Sequence, residues 1–382
     1  MMKKSPLILC LMLAVIQCLS VGVSNAQNTG DVKDVVTIDV LPQNSIYHRI
    51  WQPYIARWGK DHYVAAYGLQ LSGKTDMGDM MCSITRDGGK TWSPPTKIFD
   101  HQIPDGSQRY AYANAVLYLP EGHKTLWFFG MKCPIAQRNS EESELVAAYS
   151  CDGGVSWTPV NINVNHLGPI ITCAHPVAVM ENGIRKYLLA GHRNTLQKDP
   201  TGDREQFVLQ SYDLINWELA SYIPRPDEVW VHEGVMDEGD QPGEIKMVMR
   251  TAQYYSERKA LPVPRAYSSV SRDNGKTWSM AVEEPALWNT ASKGFYGKDS
   301  KGRHIYVYND DERSIRRGLY YVVKEPGKDW SKPRLFYWDN NCNSYPTLIE
   351  KEPGVFLCVW DSSDDLNTKR TAIRFGILNL NE

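Results

Sequence analysis

The chain has 382 residues with 42 Lys and Arg against 44 Asp and Glu, and this formal net charge of −2 removes the electrostatic footprint a nucleic-acid binder needs. Its 8 cysteines show no CxxC spacing, so neither a structural zinc nor a dithiol redox centre is indicated. The 12 Trp and 21 Tyr suit sheet packing and sugar stacking alike, and decide nothing between them.

In chain order, Lys3 and Lys4 precede an apolar run over 6–23 and the small-residue stretch Ser24-Asn25-Ala26. This is the pattern of a signal peptide over residues 1–26, cleaved after Ala26 and implying a periplasmic or secreted protein. The run is too short to span a membrane ahead of a globular domain, so no membrane span is expected. Cys10 and Cys18 lie within it and lack the preceding small residues of a lipoprotein site. The remaining Cys82, Cys133, Cys151, Cys173, Cys342 and Cys358 are scattered, and most are expected to be buried strand residues. An oxidising compartment would allow one or two pairs among them to form.

Residues 27–45 are polar except for 35–40, which is expected to close the fold by pairing with its last unit. From there the chain reads as strand throughout. Short apolar or alternating runs occupy 55–67, 115–118, 125–129, 145–149, 186–189, 207–211, 245–249, 305–308, 319–323 and 355–360, each bounded by turn residues. No stretch keeps helical periodicity for three turns.

The runs are punctuated by a repeated box, fullest in Ser271-Arg272-Asp273-Asn274-Gly275-Lys276-Thr277-Trp278. Copies stand at 85–92 and 150–157, a decayed one at 211–217, and a faint one ends at Asp329-Trp330. In each, Asp accepts backbone N–H bonds across a turn, Gly takes the positive φ, and Trp packs against a neighbouring unit. Such residues answer a backbone need, so the boxes read as architecture rather than chemistry. Their interval of about 60 residues is that of a four-stranded unit, and residues 27–382 hold close to six. The expected fold is all-β: one six-bladed β-propeller domain of four-stranded antiparallel blades over 27–382.

A propeller gathers its ligand where the inner strands converge at one end of the channel. Arg49, Arg250 and Arg317 each stand at the end of such a strand, in different units. Brought together they would repel unless an anion lay between them, and the planar guanidinium fork suits a carboxylate. Taken singly, each reads equally well as a surface or ion-paired arginine. His48, His175, His192 and His232 read as packing or hydrogen-bonding residues, although His48 and His232 adjoin Arg49 and Glu233. Trp51, Trp230 and Trp288 read as core, with sugar stacking as the alternative.

The Arg-Ile pair at 49–50, the SxDxGxTW boxes, a Glu upstream of a second Arg, a third Arg before Gly-Leu and a late Ser-Tyr together resemble the exo-α-sialidase (neuraminidase) family over nearly the whole chain beyond residue 26. The resemblance implies a retaining glycoside hydrolase that releases terminal sialic acid. Arg49, Arg250 and Arg317 would clamp the substrate carboxylate, with Arg57 as an alternative to Arg49. Tyr345 would be the nucleophile, Glu233 its general base and Asp76 the acid/base, with Asp79 as an alternative to Asp76. Asp361 would brace the first arginine. A neutral phenol suits an anomeric carbon that already bears a carboxylate, where an anionic nucleophile would be repelled. Pro346 is expected to hold Tyr345 in extended backbone. The substrate would be a sialylated or other anionic glycan and the enzyme a monomer needing no metal or cofactor. Two rivals keep the fold: a glycosidase or lyase acting on uronic-acid glycans, and a non-catalytic glycan-binding propeller.

Overall fold

The computed structural model describes residues 30–43, 45–101, 110–138, 140–164, 167–194, 204–227, 229–251, 265–289, 292–309, 316–363 and 370–382. The leader expected over 1–26 lies outside them. All regular structure among the described residues is β, and no helix there is long and apolar enough to cross a membrane.

The strands form antiparallel meanders arranged like the blades of a propeller. Tyr47–Arg57, Tyr63–Leu71, Gly78–Thr85 and Thr96–Phe99 make the first. The single pair Gly78↔Tyr112 joins it to the second, which is Tyr110–Tyr118, Leu126–Pro134, Glu144–Ser150 and Thr158–Val160. In the third, Ile171–Thr172 and Val177–Glu181 both pair with Ile184–Asn194, followed by Arg204–Ser211 and Asn216–Tyr222. The fourth is Val231–Glu238, Ile245–Thr251, Arg265–Ser271 and Val282–Trp288, and the fifth Phe295–Lys298, His304–Asn309, Leu319–Lys324 and Arg334–Tyr337. The last sheet holds Asn343–Glu352, Val355–Ser362 and Ala372–Asn379, and its outer strand is Lys33–Val40 from the other end of the sequence. The apolar run at 35–40 therefore does pair with the last sheet. The run read as one strand over 55–67 is two, turned at Trp58 and Gly59, whose N–H groups both donate to His62 O.

Apolar clusters fill the spaces between successive sheets and close the circle. Val235, Val248 and Leu287 pack with Tyr296, Tyr306 and Val322. Phe295, Ile305 and Tyr321 meet Leu348, Phe356 and Trp360. Leu357, Val359 and Phe375 of the last sheet meet Ile50, Tyr63 and Leu69 of the first. Sandwiched on both faces, Tyr63–Leu71 is buried at every position. The outer strand Val282–Trp288 is largely exposed and carries Glu283 and Glu284, charges that discourage pairing with other chains.

Three of the boxes latch their sheet to the one before it. At the first, Asp87 Oδ1 accepts from Thr91 N at 3.0 Å and from Thr85 Oγ1 at 2.8 Å, and Gly89 N donates to Thr85 Oγ1 at 3.1 Å. The same bonds recur around Asp152 and Asp273. The Trp N–H groups of 92, 217 and 278 donate to the carbonyls of Gly89, Leu214 and Gly275. Leu214 keeps φ at 67° without glycine in the decayed box. A Cβ on Gly89, where φ is 96°, would lie 2.2 Å from the Phe375 ring in the last sheet. Gly154 and Gly275 meet Val64 and Leu188 of their preceding sheets in the same way. Gly89→Ala is therefore expected to cost about 2 kcal/mol or more and lower Tm by several degrees in a thermal melt. An unchanged Tm would show that the latch is not needed.

All six described cysteines are free, five buried and Cys151 exposed.

Candidate active site

At one mouth of the channel the first strands of the meanders converge on a cavity of about 340 Å³. Four of these strands carry the same irregularity. Gln52, Asn114, Glu233 and Tyr345 have φ between 50° and 63°, each at a break in register with the next strand. Left-handed backbone at a non-glycine residue costs about 1–3 kcal/mol and persists where the surroundings enforce it, typically at functional sites. The bulge breaks strand alternation, and Gln52, Glu233 and Tyr345 line the cavity. The extended backbone expected at Tyr345 from Pro346 is thus overturned, since its φ is 53°.

Tyr345, Glu233 and Arg250 form a closed triangle. The Tyr345 hydroxyl donates to Glu233 Oε1 at 3.2 Å, while Arg250 Nη1 donates to Glu233 Oε2 at 2.8 Å and to Tyr345 Oη at 3.2 Å. Burial, and then the Glu233 charge, push the phenol up to about 12, so it is neutral at ordinary pH. Burial works against the Glu233 carboxylate too, but Arg250, His192 and Arg204 outweigh it and bring it down to about 2. His192 is driven by burial to about 3, and its Nδ1 accepts the Glu233 N–H at 3.3 Å.

Because the folded value of Glu233 lies below its ordinary 4.5, its ionised form stabilises the fold above that pH, and the stabilisation is lost as pH falls towards 2. Glu233→Gln leaves Arg250 buried without a carboxylate. It is expected to lower stability at about pH 7 by about 3 kcal/mol. The Tm difference from the native chain should shrink as pH drops below 4.5, and a difference independent of pH would remove this assignment.

The structure brings together most of the residues singled out from sequence. Asp76 lines the cavity with φ at 48°, 3.4 Å from Arg49 and 3.8 Å from Arg138. Asp79 does not: it is fully buried, bonded to Tyr47 and His101 and paired with Lys97 at 3.1 Å. Arg49 lines the cavity, whereas Arg57 spends its guanidinium on the carbonyls of Lys351 and Gly59. Arg317 does not reach the site. It is exposed, and Arg316, with φ at 58°, faces the cavity instead, 5.3 Å from the Tyr345 ring. Asp361 is buried behind the site, but it pairs at 3.2 Å with Arg370 rather than with Arg49, and accepts from Ser344 Oγ and Gln52 N.

Arg138, Arg204, Arg316 and Arg370 also line the cavity and were not read from sequence. Arg316 alone left a signal, as the neighbour of an arginine singled out. His48 bonds to Leu71 O and Gln70, and His175 to Tyr54. Trp51, Trp230 and Trp288 are absent from the lining, Trp288 instead receiving Arg265 over its ring at 3.7 Å. Asp79, Asp100 and His101 are the one metal-sized group among the described residues, and Lys97 and Tyr47 already engage its buried carboxylate. A larger hollow of about 670 Å³ lies beside the first box, where Asp87 is committed to its turn.

The family model of the BNR repeat-like domain matches residues 60–358. Among solved structures, the NanB sialidase of Streptococcus pneumoniae is similar at 12% identity and a TM-score of 0.68, over 91% of this chain and 70% of that one. The intramolecular trans-sialidase of Ruminococcus gnavus is 13% identical with a TM-score of 0.66, over 90% and 97%. An α-L-arabinofuranosidase of Fusarium graminearum is 15% identical with a TM-score of 0.63, over 92% and 99%. At such identities the likeness is one of fold. No curated protein matches the chain.

Proposed function

The chain belongs to the BNR repeat-like domain family, and we propose that it is an exported glycoside hydrolase of exo-α-sialidase type, cleaving the bond to a terminal sugar that bears a carboxylate. We read the meander pairs joined at Gly78 and Tyr112 as two blades, giving a single six-bladed catalytic domain over 27–382. The observation that carries the activity is the buried Tyr345–Glu233–Arg250 triangle facing a cavity rich in arginine.

Arg250, Arg316 and Arg370 stand around the Tyr345 ring, and we read these three, rather than the Arg49, Arg250 and Arg317 expected from sequence, as the holders of the sugar carboxylate. Binding that anion draws Arg250 away from Glu233 and raises the carboxylate's affinity for a proton. Tyr345 Oη then attacks the anomeric carbon while its proton passes to Glu233. The glycosidic C–O bond breaks as Asp76 protonates the departing oxygen. Water next attacks the glycosyl-tyrosine, giving its proton to Asp76, and Glu233 returns the phenolic proton. The neutral furanosides named among the fold neighbours have no charge to satisfy these arginines.

The test is release of fluorophore from an α-sialoside beside an α-L-arabinofuranoside control. Turnover of the sialoside alone is expected. Cleavage of the arabinoside alone, or of neither, removes this reading.

A further inference from the structure

The channel holds a second cavity, of about 200 Å³, towards the end away from Tyr345. Every meander contributes to its wall, through Ile55, Leu117, His175, Asp237, Phe295 and Leu348. Gln52, Glu233 and Tyr345 of the catalytic cavity stand only three or four residues before Ile55, Asp237 and Leu348 on the same strands, which puts the two cavities roughly 10 Å apart along the channel. Lys293 plugs the space between them. Its buried ammonium donates to Thr347 Oγ1 at 3.1 Å and to Cys173 O at 3.5 Å, and Thr347 Oγ1 donates to Pro53 O at 3.1 Å. The hairpins around the far end, 57–63, 118–126, 181–184, 238–245, 298–304 and 350–355, all lie within the described residues.

Most polar groups in this wall are already committed. Tyr54 Oη accepts the His175 N–H at 2.7 Å and donates to His175 Nδ1 at 2.6 Å, and burial brings that imidazole down to about 4, so it is neutral. Glu350 accepts from Ser300 and Gly354. Lys298 turns its ammonium to Glu238 Oε2 at 3.1 Å and Gly239 O at 3.3 Å. Asp237 is left with the backbone N–H groups of Glu238 at 2.7 Å and Lys298 at 2.8 Å, and no ion pair reaches it among the described residues. Burial pushes its carboxyl up to about 6. A buried carboxylate is costly without a counter-ion, and the lysine beside it is spent elsewhere.

We propose that this cavity binds a small organic cation, a primary or secondary ammonium that donates to Asp237 while its apolar body packs on Leu117, Leu119, Phe295 and Phe356. The rings of Tyr118 and Phe295 in the wall add attraction for a cation. A hard metal ion takes about six oxygen ligands, which this largely aliphatic wall does not offer. A sugar would leave most of its hydroxyls unpaired there. The volume is below that of drug-sized ligand sites, which limits the guest to one ring or a short chain.

Calorimetric titration of the full chain with benzylammonium chloride should show saturable binding of one molecule per chain. Benzyl alcohol, the same body without the charge, should bind at least about tenfold more weakly, and Asp237→Asn should weaken benzylammonium by a similar factor. Because Asp237 also ties down two backbone N–H groups, Leu119→Trp serves as a second variant: it fills the cavity from another meander and should abolish binding. Crystals soaked in 4-bromobenzylammonium should show a bromine peak beside Asp237. No saturable binding, equal binding of the alcohol, binding that survives Leu119→Trp, or a bromine peak elsewhere overturns the proposal. None of these outcomes depends on whether a sialoside is cleaved.

Discussion

Tyr345→Phe removes one oxygen and is expected to lower kcat for α-sialoside hydrolysis by about 1,000-fold or more, because the phenol is the group proposed to form the covalent intermediate. The fold should survive. Phe keeps the ring between the guanidiniums of Arg316 and Arg370, which lie 5.3 and 5.0 Å from its centre, and Glu233 retains Arg250 at 2.8 Å. Tm should therefore change little while turnover collapses. A variant with more than a tenth of native kcat would show that the phenol is not the nucleophile. It would also revive the elimination chemistry open to a uronate lyase, for which a tyrosine oxygen at this position has no special part.

Arg316→Ala and Arg317→Ala form the second decisive pair. Arg316 faces the cavity from a left-handed backbone, while its neighbour is exposed. Losing a charge-assisted contact to a bound carboxylate costs about 1.5–3 kcal/mol, or roughly 10- to 150-fold in kcat/KM. That loss is expected in Arg316→Ala, with Arg317→Ala staying within about twofold of native, since surface substitutions remain near neutral. The reverse ranking in steady-state assays would restore the arginine chosen from sequence.

The difference between these two residues marks where sequence reading stops. The boxes were legible because a tight turn restricts its own residues: Asp must accept N–H bonds and Gly must take positive φ wherever the turn recurs. Glu233 and Tyr345 were legible through short motifs flanking strands. Arg316 was missed because the third arginine was taken from the Arg-Gly-Leu motif at the start of its strand, whereas with φ at 58° position 316 faces the cavity and 317 stays exposed. The bulges at Gln52, Asn114, Glu233 and Tyr345 break strand alternation, which no periodicity count detects. Arg370 has no motif at all. It reaches the cavity because the strand Ala372–Asn379 begins beside Asp361, a relation set by pairing across the sheet. Arg138 and Arg204 come from the second and third meanders, and only closure of the ring brings them to one place.

That closure has a kinetic consequence. Lys33–Val40 and Ala372–Asn379 lie side by side, and Thr37 and Arg374 touch although they are 337 positions apart in sequence. During synthesis the early strand must wait for the last one to emerge, carrying an unsatisfied backbone edge meanwhile. So remote a pairing is slow to form, and zippering of this seam is the natural final step of assembly. Ribosome-bound intermediates halted before that step should bind chaperones and resist neither protease nor aggregation.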